Sequence, residues 1–494
     1  MGKTIAEIAA LIEGAVIKGD KDIVVTDITQ DSREAGAGAL FVCVAGLHVD
    51  GHKFIPDVLE KGAVALLTER DIEPQGDETV LIVPSLEAAL QKIVPFFFDY
   101  PAEKMRLIGI TGTNGKTTTS YLIRSILREA GKKVGVIGTI KIMIEEESLP
   151  VKNTTPDIIA LQRTLSRMQQ EGMDYVVMEV SSHALAMDRV TGCEFDTAVF
   201  TNLTQDHLDY HKTMDNYMAA KAKLFAMVSR EGKKTGKTAV VNIDDAAGAA
   251  MLKAATCKKI TYGVKEAAEL KGSNIEVLPR GTHFNIESNY GKIDLQLKIT
   301  GMFNVYNVLG AVGAVLAEGI EPKIIKKALE NFAGVSGRFE LVDKGQDFAV
   351  IVDYAHTPDG LENILKTARQ ITKGRIITVF GCGGDRDRTK RPIMGRLAAE
   401  LSDVVIATSD NPRSEDPKAI LEDVMAGVRE KIGAKEYEAI IDRREAIFRA
   451  IEIAKADDTV IIAGKGHENY QILKDKTIHF DDKEVAGEAL GGKK

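Results

Sequence analysis

The sequence has few cysteines and no long apolar run, and both absences narrow its class. Its four cysteines are scattered over 494 residues and form no CxxC pair, which argues against a disulfide or zinc framework. No apolar stretch approaches the length of a membrane-spanning helix. The segment MGKTIAEIAALIEGAVIKGD reads as a short amphipathic helix and lacks the apolar core and cleavage site of a signal peptide. We therefore expect a cytoplasmic protein without membrane insertion.

An excess of basic residues is also missing. The chain has 64 Lys and Arg against 72 Asp and Glu, which gives a formal net charge of -8. This balance argues against a general binder of nucleic acid or of membrane surfaces, although basic residues can still cluster around an anionic substrate. The hydrophobic fraction of 44% and the charged fraction of 28% are typical of a folded globular protein.

The length and the alternation of strand-like and helical segments predict three domains. The aromatic and proline-containing segment PFFFDYP ends the first domain near Pro101, and a new series of strands begins around Gly334. The predicted domains are therefore residues 1–100, 101–333 and 334–494.

The second and third domains are predicted to be α/β. In the second, the apolar runs DYVVMEV, DTAVFTNL and TAVVN alternate with helical segments, which is typical of a largely parallel sheet covered on both faces. In the third, FAVIVDY, RIITVFG, DVVIATSD and DTVIIAG alternate with helices as in a doubly wound, Rossmann-like fold. The Gly-x-Gly-x-x-Gly fingerprint is missing after the first of these strands, so the fold alone assigns no dinucleotide cofactor.

A glycine-rich turn in the second domain carries the clearest chemical signal. In RLIGITGTNGKTTTSYLIRSILREAG, an apolar strand enters the turn and an amphipathic helix leaves it. Backbone N–H groups at the start of that helix, a lysine and a hydroxyl are the parts of a P-loop, which binds phosphates and magnesium. The turn is shorter than the strict motif because position 110 is Ile, but its context favours a phosphate site over an empty turn. The predicted phosphate-binding residues are Gly112, Thr113, Asn114, Gly115, Lys116, Thr117 and Thr118.

Two later strands lead into polar residues that can meet at the same sheet edge. Glu179 follows DYVVM and His207 follows AVFTNLTQD, so both are candidate magnesium partners near the turn. Magnesium prefers oxygen ligands, which suits Thr117 and Glu179 better than a histidine. His183 and His211 compete with His207 for any histidine role, and the spacing does not rank them.

Ten segments of the sequence resemble, in order, those of the Mur ligases. They are ITGTNGKTTT, MEVSSHAL, TNLTQDHLDYH, AAKAKLF, FNVYN, SGRFE, DYAHTPD, GCGGDRDRTKRP, SDNPRSEDP and AGKGHENYQ. The resemblance covers essentially the whole chain and implies an ATP-dependent amide-bond ligase of peptidoglycan precursor synthesis. It implies ATP and Mg²⁺ as cofactors, a D-glutamyl carboxylate activated as an acyl phosphate, and a cytoplasmic monomer with small-molecule substrates only.

The resemblance also implies roles for individual residues. The position matching Lys116 binds the ATP phosphates in the family, and those matching Thr117, Glu179 and His207 handle magnesium. The position of Lys221, in MAAKAKLF, is that of a carbamylated lysine. Carbon dioxide would turn this cation into a carboxylate that can hold a second magnesium. The alternative for Lys221 is an ordinary solvated helix lysine. Lys116, Lys221 and His207 are thus the predicted catalytic residues.

Further positions match the family's contacts with its two nucleotide-containing substrates. Those matching contacts with ATP are Asn304, Asn307, Arg338, Asp353 and His356. Those matching contacts with the UDP-linked muramyl peptide are Ser32, within Asp31-Ser32-Arg33, and Thr154, Thr155, Ser181 and Arg189. Met187 departs from the pattern, because family members often carry glutamine there, and one polar contact with this substrate is therefore in doubt.

The string DNPR resembles the form of the family that selects diaminopimelate. A guanidinium binds a carboxylate through two parallel hydrogen bonds, and diaminopimelate differs from lysine by one carboxylate. Arg413 is therefore predicted to select diaminopimelate, with Asp410 and Glu468 facing the ammonium of the same distal centre. A surface arginine in a proline-bounded turn is the weaker alternative. The predicted diaminopimelate-binding residues are Arg386, Asp410, Asn411, Arg413, Gly464 and Glu468.

Three other functions are alternatives to this one. The lysine-adding ligase of the same family is disfavoured by DNPR, and folylpolyglutamate synthase is disfavoured by MEVSSHAL and the Asp-Ser-Arg segment. A nucleotide-switched binding protein would need the phosphate-binding turn but no amino-acid pocket. No residue stands out as an obligatory general base.

Overall fold

The computed structural model describes residues 2–46, 49–278 and 280–492. The chain divides into two compact units, residues 1–260 and 261–494. Within the described residues, no helix is both long enough and apolar enough to cross a membrane.

The first unit begins with a two-stranded sheet and a five-stranded sheet. Their strands are β1 (Lys3–Thr4), β2 (Val16–Lys18), β3 (Val24–Val25), β4 (Asp27–Thr29), β5 (Ala39–Val42), β6 (Ala65–Thr68) and β7 (Thr79–Ile82). Strands β1 and β3 form the two-stranded sheet. The helices of this part are α1 (Ile5–Ala9), α2 (Ile55–Glu60) and α3 (Leu86–Phe97), with 3₁₀ turns at Gly51–Phe54 and Pro101–Lys104. Five strands lie in the order β2-β7-β6-β5-β4 and are parallel except for the edge strand β2.

The N-terminal helix is shorter than the sequence pattern predicts. Helix α1 covers only five residues, and the later part of the predicted helix forms β2, in which Val16 pairs with Ile82 of β7. A short isolated helix is marginal in water, whereas the pairing satisfies backbone groups in a packed sheet. Sheet formation therefore overrides the helical pattern.

The rest of the first unit is built around a largely parallel sheet. Its strands are β8 (Arg106–Thr111), β9 (Val134–Ile137), β10 (Ile142–Ile144), β11 (Glu147–Leu149), β12 (Tyr175–Glu179), β13 (Thr197–Phe200) and β14 (Thr238–Asn242). Its helices are α4 (Lys116–Glu129), α5 (Ile158–Gln170), α6 (Ser182–Ala186), α7 (Leu208–His211), α8 (Met214–Val228) and α9 (Gly248–Ala254). The strands lie in the order β11-β10-β9-β12-β8-β13-β14, and the five from β9 to β14 in that order are parallel.

The central strands of this sheet are apolar on both faces. Every residue of β9, β12, β13 and β14 is buried, which is the pattern of a parallel sheet between two helical layers. Parallel strands end at the same edge of a sheet. The glycine-rich turn after β8, Glu179 at the end of β12 and the segment after β13 therefore meet there.

The second unit opens with antiparallel strands, which were not predicted from the sequence. Strand β15 (Lys258–Gly263) leads into β16 (Leu270–Leu278), β17 (Gly281–Ser288) and β18 (Gly291–Leu297), and the helices α10 (Met302–Ala317) and α11 (Pro322–Asn331) follow. Strands β16, β17 and β18 pair antiparallel. In β18, exposed and buried residues alternate, as expected when one face of an antiparallel sheet meets water.

The rest of the second unit contains a doubly wound sheet and a separate two-stranded sheet. Their strands are β19 (Glu340–Leu341), β20 (Ala349–Asp353), β21 (Ile376–Phe380), β22 (Val404–Thr408), β23 (Glu436–Ile440), β24 (Thr459–Ala463), β25 (Tyr470–Ile472) and β26 (Thr477–His479). Strands β25 and β26 form the two-stranded sheet. Its helices are α12 (Pro358–Ile371), α13 (Lys390–Leu401), α14 (Pro417–Lys431), α15 (Arg443–Ile453) and α16 (Asp482–Gly492). Six strands lie in the order β19-β20-β24-β21-β22-β23, and only β19 is antiparallel. The predicted α/β fold class is confirmed, while the exact domain boundaries stay predictions.

A buried ion pair fastens the last helix to this sheet. Arg443, at the start of α15, and Asp482, at the start of α16, both have fully buried side chains, and two guanidinium nitrogens lie 2.7 Å and 2.6 Å from the carboxylate oxygens. Arg443 also donates to the carbonyl oxygen of Ala463 at the end of β24 (3.1 Å). The pair therefore holds the backbone immediately before Gly464.

We expect Asp482→Ala to lower the free energy of unfolding by about 3–5 kcal/mol, because it leaves Arg443 buried without a counter-charge. Glu488→Ala is the matched control. Glu488 lies on the same helix and pairs with Arg444, but both side chains are about half exposed, so its cost should stay below ~1 kcal/mol. Urea denaturation followed by circular dichroism measures both changes. Equally small effects of the two substitutions would contradict a structural role for the buried pair.

Candidate active site

The glycine-rich turn joins β8 to α4. Gly115 directly precedes α4 with a φ of 89°, and it provides no side-chain cap for the helix. A helix start without a side-chain cap is a favourable place for an anion, which the helix dipole also attracts. Lys116 folds back over the turn, and its Nζ donates to the carbonyl oxygens of Gly112 (2.9 Å) and Thr113 (2.8 Å).

The segment after β13 supports the turn. The carbonyl oxygen of Asn202 accepts from the N–H of Thr113, and its side chain accepts from the N–H of Asn114, both at 2.9 Å. Thr201 Oγ1 donates to the carbonyl oxygen of Asn114 (2.7 Å). A Cβ at Gly112 would lie 1.8 Å from Thr201 Oγ1, and the φ of 152° there also disfavours a side chain. Only glycine therefore lets the turn lie this close to its support.

Thr117 and Glu179 lie side by side at the sheet edge. Glu179 pairs with Ile110 between β12 and β8, and Thr117 Oγ1 donates to Glu179 Oε2 (3.0 Å). Thr139 donates to the same carboxylate through its N–H (3.0 Å) and its hydroxyl (2.9 Å). Thr118 follows on α4 and is half-buried. The structure thus brings the predicted oxygen ligands together beside the turn.

His207 precedes α7 and belongs to a cluster of three histidines. Its ring centroid lies 4.8 Å from that of His183 and 6.0 Å from that of Tyr217, and its Nε2 lies 3.3 Å from the carboxylate of Asp206. The rings of His183 and His211 are 5.5 Å apart. Burial lowers the pKa of all three histidines, which favours their neutral forms. Because the geometry groups them, the three remain alternatives for any histidine role.

Lys221 lies on α8 and is only 1% exposed. Its Nζ donates to the carbonyl oxygen of Gly112 (2.8 Å) and lies 4.3 Å from the ring centre of Tyr217. Burial, helped by the nearby charge of Lys116, holds the pKa of the Lys221 ammonium well below its ordinary value. The alternative of a solvated helix lysine is therefore wrong.

The donor atoms at the sheet edge fit magnesium that is shared with a substrate. The hydroxyl of Thr117 and the carboxylate of Glu179 are hard oxygen donors, and Mg²⁺ is commonly held by one or two carboxylates together with substrate phosphates. Across residues 2–46, 49–278 and 280–492, no three His, Cys, Asp or Glu side chains form a group that could hold a metal ion. The protein alone therefore supplies only part of a coordination shell.

A cavity of about 830 Å³ opens in the first unit. Ser32 lines it together with Asp31, Arg33 and Asn153. Arg33 Nη2 lies 2.6 Å from the carboxylate of Asp31, so the residues on either side of Ser32 pair with each other. The cavity thus contains one residue predicted to bind the muramyl peptide nucleotide and the residue directly before Thr154.

The other residues predicted to bind this substrate lie near Glu179. Thr155 Oγ1 donates to the carbonyl oxygen of Glu179 (2.8 Å) and accepts from the N–H of Ser181 (3.0 Å). Thr154 Oγ1 lies 3.1 Å from the hydroxyl of Thr139, which binds the Glu179 carboxylate. The segment 153–155 therefore links the cavity to the sheet edge.

Arg189 and Met187 are in direct contact. Nη2 of Arg189 lies 3.1 Å from Sδ of Met187. The residue that departs from the family pattern therefore touches one that is predicted to bind substrate.

In the second unit, the asparagines predicted to bind ATP lie at the start of α10. Asn304 and Asn307 are buried, and Asn307 Nδ2 donates to Asn304 Oδ1 (3.1 Å). The ring centroids of Phe303 and Phe339 are 5.4 Å apart. This contact brings the start of α10 next to the loop that carries Arg338.

The remaining residues predicted to bind ATP surround Tyr354. The guanidinium of Arg338 lies 5.0 Å from the ring centre of Tyr354, and the rings of His356 and His467 lie 4.5 Å and 4.8 Å from it. Asp353 accepts two backbone N–H groups, and burial raises its pKa. Burial lowers the pKa of His356 and lowers that of His467 to about 4. Arg338, Asp353 and His356 are thus brought together.

Three of the residues predicted to bind diaminopimelate converge on a buried lysine. Nζ of Lys465 lies 3.4 Å from Asp410 Oδ1, 3.2 Å from Asn411 Oδ1 and 3.3 Å from Glu468 Oε2. Asn411 Nδ2 also donates to Glu468 Oε2 (2.9 Å). A Cβ at Gly464 would lie 3.6 Å from Asp410 Oδ2. The predicted acidic pair is therefore present, with a cation between its members.

Arg413 and Arg386 flank Gly383. A Cβ at Gly383 would lie 2.9 Å from Arg413 Nη1 and 3.8 Å from Arg386 Cγ. Arg413 Nη1 donates to the carbonyl oxygen of Gly384 (2.8 Å), and Arg386 Nη1 donates to that of Asp385 (3.1 Å). Within the described part of the chain, neither guanidinium forms an ion pair, so both can receive a carboxylate.

Lys465 and Thr139 are the residues that the sequence reasoning missed. Lys465 stands in AGKGHE between two glycines whose φ values are 124° and 55°. This spacing could have indicated a loop that turns one long side chain inward. Thr139 left no signal, because a single threonine after a strand is too common to indicate a carboxylate partner.

A phosphate-binding turn between a buried parallel strand and a helix defines the chain as a P-loop nucleotide-binding α/β protein. Three family models match it: the Mur ligase family, catalytic domain, at residues 24–97, the Mur ligase middle domain at 110–315, and the Mur ligase, glutamate ligase domain, at 337–466. The chain belongs to the Mur ligase family.

Curated relatives match nearly the full length. The UDP-N-acetylmuramoyl-L-alanyl-D-glutamate–2,6-diaminopimelate ligase of Bacillus cereus is 50% identical over 470 residues, which are 95% of this chain and 94% of that one. The ligase of the same name from Syntrophomonas wolfei is 47% identical over 475 residues, 96% of either chain.

Solved structures share the fold. A structure with the same ligase name covers 100% of this chain and 99% of its own, with a TM-score of 0.72 and 32% identity. The MurF ligase of Thermotoga maritima in complex with ADP covers 95% of this chain and 99% of its own, with a TM-score of 0.66. Its identity of 18% shows the fold alone.

We expect Gly112→Ala to weaken nucleotide binding and turnover by about 100-fold, because the new Cβ must displace the turn from Thr201. Gly131→Ala is the matched control at the other end of α4. Its Cβ would meet no atom within 4 Å, although the φ of 75° strains it, so it should cost stability and leave nucleotide affinity unchanged. Calorimetric titration with a non-hydrolysable ATP analogue measures both. Parent-like affinity of Gly112→Ala would contradict the proposed close approach.

Proposed function

We propose that the chain is an ATP-dependent ligase that adds diaminopimelate to UDP-N-acetylmuramoyl-L-alanyl-D-glutamate in peptidoglycan precursor synthesis. The observation that carries the proposal is an identity of 47–50%, over at least 94% of both chains, with proteins of that name. The phosphate-binding turn and the charged pocket around Lys465 support it physically. ATP needs the first kind of site, and an amino-acid end with both charges needs the second.

The proposed reaction has two steps. First, the D-glutamyl carboxylate attacks the γ-phosphorus of ATP, the bond to the bridging oxygen breaks, and ADP leaves with the electron pair. Next, the amine of diaminopimelate attacks the acyl carbon of the acyl phosphate, loses a proton and expels inorganic phosphate. Lys116 leaves the carbonyl oxygens of Gly112 and Thr113 and neutralises charge on the moving phosphoryl group. The proton acceptor for the amine is left unassigned.

Thr117 and Glu179 are the proposed protein ligands of Mg²⁺, with His207 as a further partner at the same edge. Held there, Mg²⁺ would supply positive charge to stabilise the phosphates of the nucleotide. Thr117 and Glu179 already lie 3.0 Å apart through their hydroxyl and carboxylate oxygens. Their role in catalysis is to place hard oxygen donors beside the phosphate-binding turn.

Lys221 is the proposed site of carbamylation. Its pKa is held well below the ordinary lysine value by burial, and the neutral amine is the form that attacks carbon dioxide. The nitrogen bonds to the carbon of CO₂ and releases one proton, which leaves a carbamate with one negative charge. The modification converts the Lys221 amine next to Gly112 into an oxygen donor suited to Mg²⁺.

The proposed substrate pockets follow the two clusters of polar residues. Ser32, in its cavity, is assigned to the uridine part of the muramyl nucleotide, and Thr154, Thr155, Ser181 and Arg189 are assigned to its peptide part. Arg413 is assigned to the distal carboxylate of diaminopimelate, and Asp410 and Glu468 to its distal ammonium. Asn411, Gly464 and Arg386 complete this pocket, while Asn304, Arg338, Asp353 and His356 are assigned to ATP.

Further parts of the proposal concern the whole chain. The first 100 residues are proposed to bind the UDP-linked substrate, residues 101–333 to bind ATP and residues 334–494 to bind the amino acid. The chain is proposed to act in the cytoplasm as a monomer, without nucleic acid.

Phosphate release from ATP tests the function. With Mg²⁺ and the muramyl dipeptide nucleotide, we expect kcat/KM for diaminopimelate to exceed those for lysine and ornithine by at least about tenfold. Arg413→Ala should lower kcat/KM for diaminopimelate by tens to thousands of times and leave the KM for ATP unchanged. This decrease corresponds to a loss of about 2–5 kcal/mol of transition-state stabilisation. Arg388→Ala is the control, because Arg388 lies on the loop that carries Arg386 and its side chain is 70% exposed. Preference for lysine would indicate the lysine-adding ligase, and ATP hydrolysis without either substrate would indicate a nucleotide switch.

We expect Lys221→Ala to lose turnover by about 100-fold or more, because a ligand to the second magnesium is lost. Acetate or formate together with bicarbonate should restore part of the activity by supplying a carboxylate to the vacated space. Lys223→Ala is the control on the same helix, since the Lys223 side chain is 48% exposed. Carbon-13 NMR of the parent protein in labelled bicarbonate should show a carbamate signal that Lys221→Ala lacks. Full activity of the alanine variant would exclude the modification from catalysis.

A further inference from the structure

The backbone path of its loop directs the Lys465 side chain into the protein interior. The loop passes so close to Tyr354 that a Cβ at Gly466 would lie 2.6 Å from Tyr354 Cβ. Gly464 and Gly466 both have positive φ values, 124° and 55°, so the backbone turns sharply on either side of Lys465. Its side chain is fully buried as a result. An ammonium so placed must be compensated by its neighbours.

Three oxygens compensate this ammonium. Asp410 Oδ1, Asn411 Oδ1 and Glu468 Oε2 lie 3.2–3.4 Å from Nζ, and an ammonium has three N–H donors. Its donors are therefore all directed to protein oxygens. Lys465 has none left for a bound amino acid, so it acts on a ligand only through these neighbours.

Each carboxylate keeps one oxygen for another donor. Lys465 faces Oδ1 of Asp410 and Oε2 of Glu468. In the described portion of the chain, Asp410 Oδ2 and Glu468 Oε1 make no hydrogen bond. These two oxygens are the ones that an incoming ammonium can use, while the Lys465 contact holds both carboxylates in place.

The pocket charges that are not exposed to solvent cancel one another. Asp410 and Glu468 contribute two negative charges, and Lys465 and Arg413 contribute two positive ones. Arg386, the remaining charged residue of the pocket, is exposed, so water screens its charge. The buried Arg443–Asp482 pair next to Gly464 adds no net charge. The distal end of diaminopimelate carries one ammonium and one carboxylate and is also neutral, whereas the distal end of lysine is a bare cation.

We propose that Lys465 is a specificity-determining positioning residue. Its ammonium cancels one of the two negative charges of Asp410 and Glu468, so that the pocket accepts a zwitterionic amino-acid end in preference to a bare cation. Arg413 then recognises the carboxylate of the ligand in a pocket that does not over-attract cations. This inference rests on the proposed function and deepens it, since it names a second determinant of acceptor choice.

The ratio of kcat/KM for diaminopimelate to kcat/KM for lysine tests the proposal. In Lys465→Met, which has a similar shape and no charge, the ratio should fall by about tenfold or more, because the pocket becomes net negative. Lys465→Arg should keep a ratio close to that of the parent. A merely structural role for Lys465 would lower both values of kcat/KM together and leave their ratio unchanged, which would overturn the proposal.

Glu468→Gln supplies the opposite change and retains Lys465. It makes the pocket net positive, so the same ratio should rise, although both acceptors lose one ammonium contact. The double variant Lys465→Met/Glu468→Gln is neutral again and should return towards the parent ratio. A fall or no change in Glu468→Gln would overturn the proposal, even if Lys465→Met did not fold.

The activity of the parent protein distinguishes failure of the proposed ligase function from failure of the proposed role of Lys465. If it releases no phosphate in response to diaminopimelate, the proposed ligase function fails. If it uses diaminopimelate but the variants leave the acceptor ratio unchanged, the function stands and only the role of Lys465 fails. Circular dichroism of each variant identifies those that are folded and therefore comparable.

Discussion

Two lysines share one carbonyl oxygen, and the chemistry of the first unit depends on that sharing. The oxygen of Gly112 accepts from Lys116 (2.9 Å) and from Lys221 (2.8 Å). Burial, together with the nearby charge of Lys116, lowers the pKa of Lys221. The turn therefore brings the Lys116 cation and a second lysine, whose charged form is disfavoured, to one point of the sheet edge. The proposed phosphate contact of Lys116 and the proposed carbamylation of Lys221 need these two different partners.

The second unit differs from the first because its buried charges lie in pairs of opposite sign. Arg443 with Asp482, and Lys465 with Asp410 and Glu468, are embedded near the ends of the parallel strands. Such groups contribute little net stability compared with apolar residues of the same size. Their effect is geometric, since each partner must stay where the other can reach it. The loop 464–468 is thereby held between Tyr354 and Asp410.

Local sequence patterns were enough to predict much of the fold and of the candidate site. The α/β class followed from alternating apolar runs, and the phosphate-binding turn followed from glycines, lysine and threonine within a few residues. The burial of Lys221 could not be predicted from local sequence, because it depends on which face of α8 packs against the turn. The contact between Lys465 and Asp410 joins residues 55 positions apart, and no local pattern encodes it. The N-terminal helix is shorter than predicted, because residues 16–18 pair with the distant strand β7.

The tight packing of Gly112 against Thr201 also limits how this site can evolve. Every base change in a glycine codon that alters the amino acid without ending translation introduces a Cβ, and here that atom would fall 1.8 Å from a hydroxyl. Amino-acid changes at this codon are therefore not tolerated as long as the turn keeps its shape. A compound could bind to the turn in place of a triphosphate. Resistance to it could not arise by substitution of Gly112, because any substitution there would also destroy the turn.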